Sequence, residues 1–184
     1  MRAVASSASD GLFGFLDAAH VVIVAQLQAL TALATAAEAG ALNTAQRAQA
    51  RSLVAWFSTE ARQHHLDEER HVFPTLLCSQ DEAIIETTYR LIQDHGWLEA
   101  DWVEIEPALL AAAEGRYWFD PVVLRRSVAV FQEQCLKHIQ LEESIAYPQA
   151  HARMDSRLLI ASGGEMAHRQ ALRQARTECE AVAA

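Results

Sequence analysis

Apolar residues recur every three or four positions along most of this chain, which is the spacing of one face of an α-helix. The N-terminal stripe consists of Leu12, Leu16, Ile23, Leu27, Leu30 and Ala34. It ends before Gly40, a residue type that commonly stops helices. No strand-type alternation or hairpin signal competes with this pattern in the sequence. The pattern therefore predicts an all-α protein with a long first helix.

Three further long helices are predicted from residues that begin and end helices. The candidate N-terminal caps are Asn43 or Thr44, Asp81, and Asp120 with Pro121 behind it. The candidate ends or kinks are Pro74, Pro107, Gly115 and Pro148. Four long helices with short connections favour an antiparallel, up-down four-helix bundle. The run Ser162-Gly163-Gly164 predicts a break, followed by a shorter additional C-terminal helix over roughly 165–182.

This organisation predicts one domain, because 184 residues are enough for one substantial core. We expect a flexible N-terminal tail at residues 1–10, the bundle at 11–150, and an accessory C-terminal helical segment at 151–184. The abundance of alanine, leucine, glutamine and glutamate agrees with a helical fold.

The charge and cysteine content narrow the location and the partners. The net charge is −9 and Lys137 is the one lysine, so we expect no nucleic-acid partner. The three cysteines are widely spaced, which indicates a reducing, cytoplasmic compartment. The N-terminus has no signal-peptide pattern. The most apolar run, VVIVAQLQALTALATAA, contains Gln26 and Gln28, so it favours a buried helix over a membrane span.

Each of the four predicted long helices carries a histidine: His20, His64, His95 and His138. Three of these histidines have a glutamate four residues later: Glu68, Glu99 and Glu142. Residues four apart lie on the same helix face, so each pair can present a nitrogen and a carboxylate to one point. His65 and Glu69 form a fourth, overlapping pair.

These polar residues continue the apolar stripes, so they are expected to face the core. Buried carboxylates are costly unless they share a partner, and a metal cluster supplies one. Imidazole with carboxylate and no cysteine suits iron or manganese better than zinc. Two ions bridged by carboxylates match the predicted ligands, which are His20, His64, Glu68, His95, Glu99, His138 and Glu142. We expect His65, Glu69 and His71 to face solvent or support the ligands, and Glu143 to be an exposed neighbour.

The segments HHLDEERHVFP, DHGWLEADW and HIQLEESIAYP, together with His20, resemble the hemerythrin-like (HHE cation-binding) family over about residues 11–150. The resemblance implies a non-heme di-iron centre with a bridging oxo or hydroxo group. It implies that His20 and His64 bind one iron, that His95 and His138 bind the other, and that two carboxylates bridge them. The bridging carboxylates would be Glu68 and Glu142.

Two positions depart from the pattern of the oxygen-carrying members. These members use an aspartate, at slightly different spacing, as the second bridge, where this chain has Glu142. Oxygen-carrying members have a second histidine four residues after the one in the third helix, where this chain has Glu99. An anionic ligand stabilises ferric iron, so reversible oxygen carriage is disfavoured. The leading hypothesis is a protein that binds, senses or handles O2, peroxide, nitric oxide or iron, and whose partner is a small diatomic or peroxide ligand.

Other functions are left open by the sequence. A di-iron oxidase or peroxidase-like enzyme is the first alternative. A ferritin-like carboxylate protein is less favoured, although Glu68 with His71 and Glu165 with His168 have its spacing. A purely structural or partner-binding bundle ranks last because it leaves the buried charges unexplained. A homodimer or an unknown protein partner also stays open.

Overall fold

The computed structural model describes residues 11–116 and 118–182, so the predicted tail at 1–10 lies outside the described residues. The described part is helical and contains no strand. The α-helices are α1 (Gly11–Ala39), α2 (Thr44–Trp56), α3 (Arg62–His71), α4 (Phe73–Leu77), α5 (Glu82–Glu114), α6 (Pro121–Leu141), α7 (Tyr147–His151) and α8 (Ser156–Val182). Two π-helical turns interrupt them, at Phe57–Ala61 and Glu142–Ala146.

The bundle is antiparallel, because contacts between neighbouring helices pair later residues of one helix with earlier residues of the next. Between α1 and the fourth long helix the pairs are His20–Glu143, Thr31–Gln132 and Glu38–Arg125. Between the second long helix and α5 they are Ser58–Glu106, Arg62–Glu99 and Glu69–His95. The predicted all-α, four-helix bundle is confirmed.

The predicted capping residues begin their helices as expected. Asn43 forms a capping box with Gln46, in which each side chain bonds the other residue's backbone N–H at 2.9 Å. Asp81 accepts a bond from the Ala83 N–H at 3.0 Å, and Asp120 accepts one from the Val122 N–H at 2.8 Å. These bonds satisfy N–H groups that the first helical turn leaves without partners.

Two apolar clusters fill the bundle on either side of a polar layer. In α1, Leu16 belongs to one cluster and Ile23 to the other, and His20 lies between them. In α5, His95 is likewise placed between Leu91 and Leu98. The layer of histidines is therefore enclosed by apolar packing at both ends, which excludes water from it.

Helix α1 is the one described helix that is long and apolar enough to cross a membrane by length and composition. Its buried stripe, which includes Leu27 and Leu30, packs inside the bundle. The same stripe contains His20, while Val21 and Val22 are exposed on the outer side of the helix.

The predicted break at Ser162-Gly163-Gly164 is wrong, because α8 runs without interruption through these residues. Asp155 accepts a hydrogen bond from the Leu158 N–H at 2.8 Å and so begins the helix earlier than expected. Gly163 packs against the start of α1, where an added Cβ would lie 3.0 Å from the Leu12 nitrogen. Here glycine permits close helix packing instead of ending a helix.

Candidate metal centre

Six of the predicted ligands converge in the polar layer of the bundle. They are His20, His64, Glu68, His95, His138 and Glu142, and each is at most 6% exposed. The four long helices all contribute. His20 lies on α1, His64 and Glu68 on α3, His95 on α5, His138 on α6, and Glu142 at the start of the second π-helical turn. Their donor atoms form two overlapping groups in which all atoms lie within 4.8 Å of one another.

The Glu68 carboxylate lies between two pairs of histidines. Its Oε1 is 3.4 Å from His64 Nε2 and 3.9 Å from His20 Nε2. Its Oε2 is 3.4 Å from His95 Nε2. One carboxylate therefore directs one oxygen toward each pair, which is the arrangement of a bridging ligand.

Glu142 repeats this arrangement from the opposite helix. Its Oε2 is 3.3 Å from His20 Nε2, and its Oε1 is 3.0 Å from His138 Nε2 and 3.9 Å from His95 Nε2. We define the first position as the space that is bounded by the two carboxylates on one side and by His20 and His64 on the other. The second position is the corresponding place beside His95 and His138.

The donor set fits a pair of cations. Glu68 Oε2 and both oxygens of Glu142 are buried and have no hydrogen-bond partner among the described residues. Buried carboxylate oxygens of this kind are costly unless a positive charge faces them. The Nε2 atoms of His95 and His138 face each other at 3.0 Å, so both nitrogens point to the same place. Four imidazoles and two carboxylates are ligands that suit iron or manganese.

The ionisation of the cluster also shows that its carboxylates attract positive charge. Burial opposes ionisation of Glu68, but His64 and His95 hold the pKa of its carboxyl well below the usual value. Burial likewise opposes protonation of His138, but Glu142 raises the pKa of that imidazole to about 10. Without a cation, protons on the histidines supply the charge that the carboxylates require.

Three acidic side chains lie near the opposite ring nitrogens of the histidines. Glu143 Oε1 is 2.9 Å from His20 Nδ1, and Glu69 Oε1 is 2.8 Å from His95 Nδ1. Asp94 Oδ2 is 3.7 Å from His138 Nδ1. The contacts of Glu143 and Glu69 are hydrogen bonds that fix the ring orientation and leave Nε2 free to bind a metal. Asp94 lies beyond hydrogen-bond distance of His138 Nδ1. Glu143, expected only as an exposed neighbour, is half exposed and contacts His20 directly.

Tyr147 contributes a hydroxyl that sequence reasoning did not assign, because it was recognised only as the aromatic residue that closes HIQLEESIAYP. Its hydroxyl donates a short hydrogen bond to Glu68 Oε1, and its ring stacks on His20 at a centroid distance of 5.4 Å. Burial, reinforced by Glu68 and Glu142, raises the pKa of Tyr147 well above its usual value. The phenol therefore stays protonated and donates a hydrogen bond to the carboxylate.

Glu99 is the predicted ligand that the structure does not bring to the cluster. Its side chain is 49% exposed and forms an ion pair with Arg62, with 2.9 Å between Oε1 and Nε. The second pair of the ferritin-like alternative is also outside the cluster, because Glu165 pairs with Arg70 at 3.0 Å and His168 is exposed. His71, expected to face solvent or support the ligands, is buried with its Nε2 3.9 Å from Glu165.

His65 lies closer to the cluster than the sequence indicated. Its ring stacks on that of His95, with centroids 4.0 Å apart and an angle of 11° between planes. A ring nitrogen of His65 forms a further group with those of His95 and His138. Burial, together with the charge of His95, lowers the pKa of His65 well below its usual value, so its imidazole is neutral.

A cavity of about 250 Å³ borders His65, whose ring stacks on His95 of the second position. Its walls are mainly apolar and include Phe57, Trp102 and Phe131, and His65 borders it. The Arg62–Glu99 ion pair also lines this cavity. The cavity therefore lies beside the second position, with His65 as the residue that the two share.

The fold and the cluster define a helical-bundle protein with a buried histidine–carboxylate site suited to binding cations. Residues 12–150 match the family model for the hemerythrin HHE cation-binding domain, and the chain belongs to that family. A search of curated proteins gave no match, and a search of solved structures gave none either.

Proposed function

We propose that this protein is a non-heme di-iron protein that binds O2, peroxide or nitric oxide and thereby senses or handles these species in the cytoplasm. His20 and His64 hold one iron at the first position, and His95 and His138 hold the other at the second. Glu68 and Glu142 would each serve both irons, and an oxo or hydroxo group would complete the centre. The observation that carries the proposal is that each buried carboxylate directs its two oxygens toward different histidine pairs.

When bound, the di-iron centre supplies redox-active metal with a coordination position for a small ligand. The protein residues orient and isolate it. Glu69 and Glu143 hold the imidazoles of His95 and His20 by their Nδ1 atoms. The Tyr147 hydroxyl stays protonated and donates a hydrogen bond to Glu68. The apolar clusters on both sides exclude water, and the cavity admits the ligand.

The metal content per chain tests the dinuclear site. Protein purified without added metal, and protein loaded anaerobically with ferrous iron, should both approach two irons per chain. His138→Ala should hold less, while His151→Ala, which changes an exposed histidine, should match the wild type. A wild-type chain that holds one iron or none after loading would show that these residues do not bind two irons. Addition of nitric oxide should then change the absorption spectrum of the loaded wild type.

A di-iron oxidase or peroxidase-like activity is a second candidate, and the cavity favours it. A single water needs only about 10–15 Å³ of such space. The cavity offers about 250 Å³, more than a diatomic ligand requires. Steady turnover of peroxide by the iron-loaded protein, absent from His64→Ala, would support an enzyme. A single stoichiometric reaction without turnover would support a sensor.

A further inference from the structure

We propose that His65 is a third imidazole ligand of the second position, beside His95 and His138. The proposal rests on the di-iron function given above. His65 follows His64 directly in α3, so two consecutive histidines of one helix would serve different ions. The two positions would then be unequal, with two imidazoles at the first and three at the second.

The distances between ring nitrogens support this role. One nitrogen from each of His65, His95 and His138 lies within 4.8 Å of the other two. Donors bound at about 2.1 Å to one ion are about 3 to 4 Å apart, so a small adjustment brings the three into one coordination shell. The two other groups of the cluster, each made of two histidines and two glutamates, meet the same 4.8 Å limit.

His65 also has a ring nitrogen that the rest of the protein does not engage. Its Nδ1 is buried and has no hydrogen-bond partner among the described residues. His138 Nδ1 is likewise without a partner, whereas the Nδ1 atoms of His20 and His95 are held by Glu143 and Glu69. A buried polar atom without a partner is unfavourable, and a metal ion nearby would supply a partner.

The cavity that His65 lines gives its ring room to change orientation. In the structure its ring stacks on His95, and two imidazoles stacked face to face cannot both direct a nitrogen at one ion. Coordination therefore requires the His65 ring to leave the stack, and the space beside it is the cavity of about 250 Å³. Glu99, across this cavity, is held by Arg62 and does not compete for the ion.

Iron release to an excess of a ferrous chelator tests the proposal after anaerobic loading. Wild type and His71→Ala, a change to a buried histidine of the same helix outside the cluster, should release both irons slowly. His65→Ala should release one of its two irons at least about 10-fold faster. Added imidazole, which fits the cavity, should restore slow release. Glu99→His in the His65→Ala background should also restore it, because position 99 lines the same cavity.

The outcomes separate this inference from the proposed function. Wild type that fails to hold two irons removes the di-iron function itself. Wild type with two irons and His65→Ala with unchanged release overturns only the role of His65. If the alanine variant does not fold, His65→Gln is used in its place, because glutamine is similar in size to histidine. Pulsed electron paramagnetic resonance of the one-electron-reduced wild type needs no variant: five coupled imidazoles per cluster support the proposal, and four overturn it.

Discussion

Glu142→Gln and Glu143→Gln make the same isosteric change at neighbouring positions with different roles. Glu142 is fully buried, and its oxygens lie 3.0 Å from His138 Nε2 and 3.3 Å from His20 Nε2. The Glu143 side chain is 50% exposed and contacts the far nitrogen of His20 at 2.9 Å. Glu142→Gln should therefore abolish the binding of the metal pair, while Glu143→Gln should only weaken it.

The expected size follows from the stabilisation that a bound metal gives to the folded state. Metal at 100 times its Kd stabilises by about 2.7 kcal/mol, and each kcal/mol raises Tm by about 2–4 °C for a chain of this size. Wild type should gain about 5–11 °C. Loss of the carboxylate behind His20 lowers affinity about 10-fold, so Glu143→Gln should gain about 3–6 °C at the same metal concentration. Glu142→Gln should gain nothing.

Thermal unfolding followed by circular dichroism, with and without cobalt(II), measures these shifts. Cobalt(II) prefers similar ligands and avoids oxidation during the experiment. The comparison is made within each variant, because loss of the contact between Glu142 and His138 has its own effect on the metal-free protein. A Glu142→Gln protein whose Tm rises as much as that of the wild type would refute the bridging role. A Glu143→Gln protein with no rise would refute the supporting role of Glu143.

Two further changes test the packing around the site. Gly163→Ala should lower the free energy of unfolding by about 1 kcal/mol, because its Cβ would lie 3.0 Å from the Leu12 nitrogen. Gly164→Ala, which meets open space, should raise it by about 0.5–1 kcal/mol; equal effects in urea unfolding would contradict the close contact of α8 with α1. Burial raises the pKa of Cys135 to about 12, so iodoacetamide at pH 8 should modify exposed Cys78 at least about 10-fold faster. Equal rates by peptide mass spectrometry would show that the bundle opens around Cys135.

Much of the fold was predictable because its determinants are local. The apolar stripe of α1 and the caps at Asn43, Asp81 and Asp120 each act within a few residues of the chain. His138 and Glu142 could be placed on an inward face because they are in line with the buried Phe131 and Cys135 of the same helix. The same spacing in His64 and Glu68 then indicated a matching pair.

The positions of Glu99 and His65 were not predictable from spacing alone. A residue four places after His95 is rotated by about 40° around the helix, which can place it at the edge of the buried face. There Glu99 meets Arg62 from another helix, a contact that only the folded chain reveals. The π-helical turn at Phe57–Ala61 precedes His65 and changes the rotational phase of its helix. No sequence pattern indicated that turn.

The glycine pair in α8 illustrates the same limit. Gly163 and Gly164 are unfavourable for a helix, so a local reading predicts a break. The reason for Gly163 lies on α1, more than a hundred residues earlier in the chain, where its missing Cβ allows close contact. Contacts between distant parts of the chain can reverse a local preference, and the sequence does not show which positions they affect.

The six converging residues are separated by as many as 122 positions along the chain, from His20 to Glu142. An unfolded or partly synthesised chain therefore holds no complete binding site. A zinc finger, by contrast, gathers its metal through ligands that are close in sequence, and the metal drives its folding. Here the last carboxylate is synthesised only after all the residues of the first three long helices. Metal binding is thus expected late in folding, and a metal-occupied site indicates that the whole bundle has assembled.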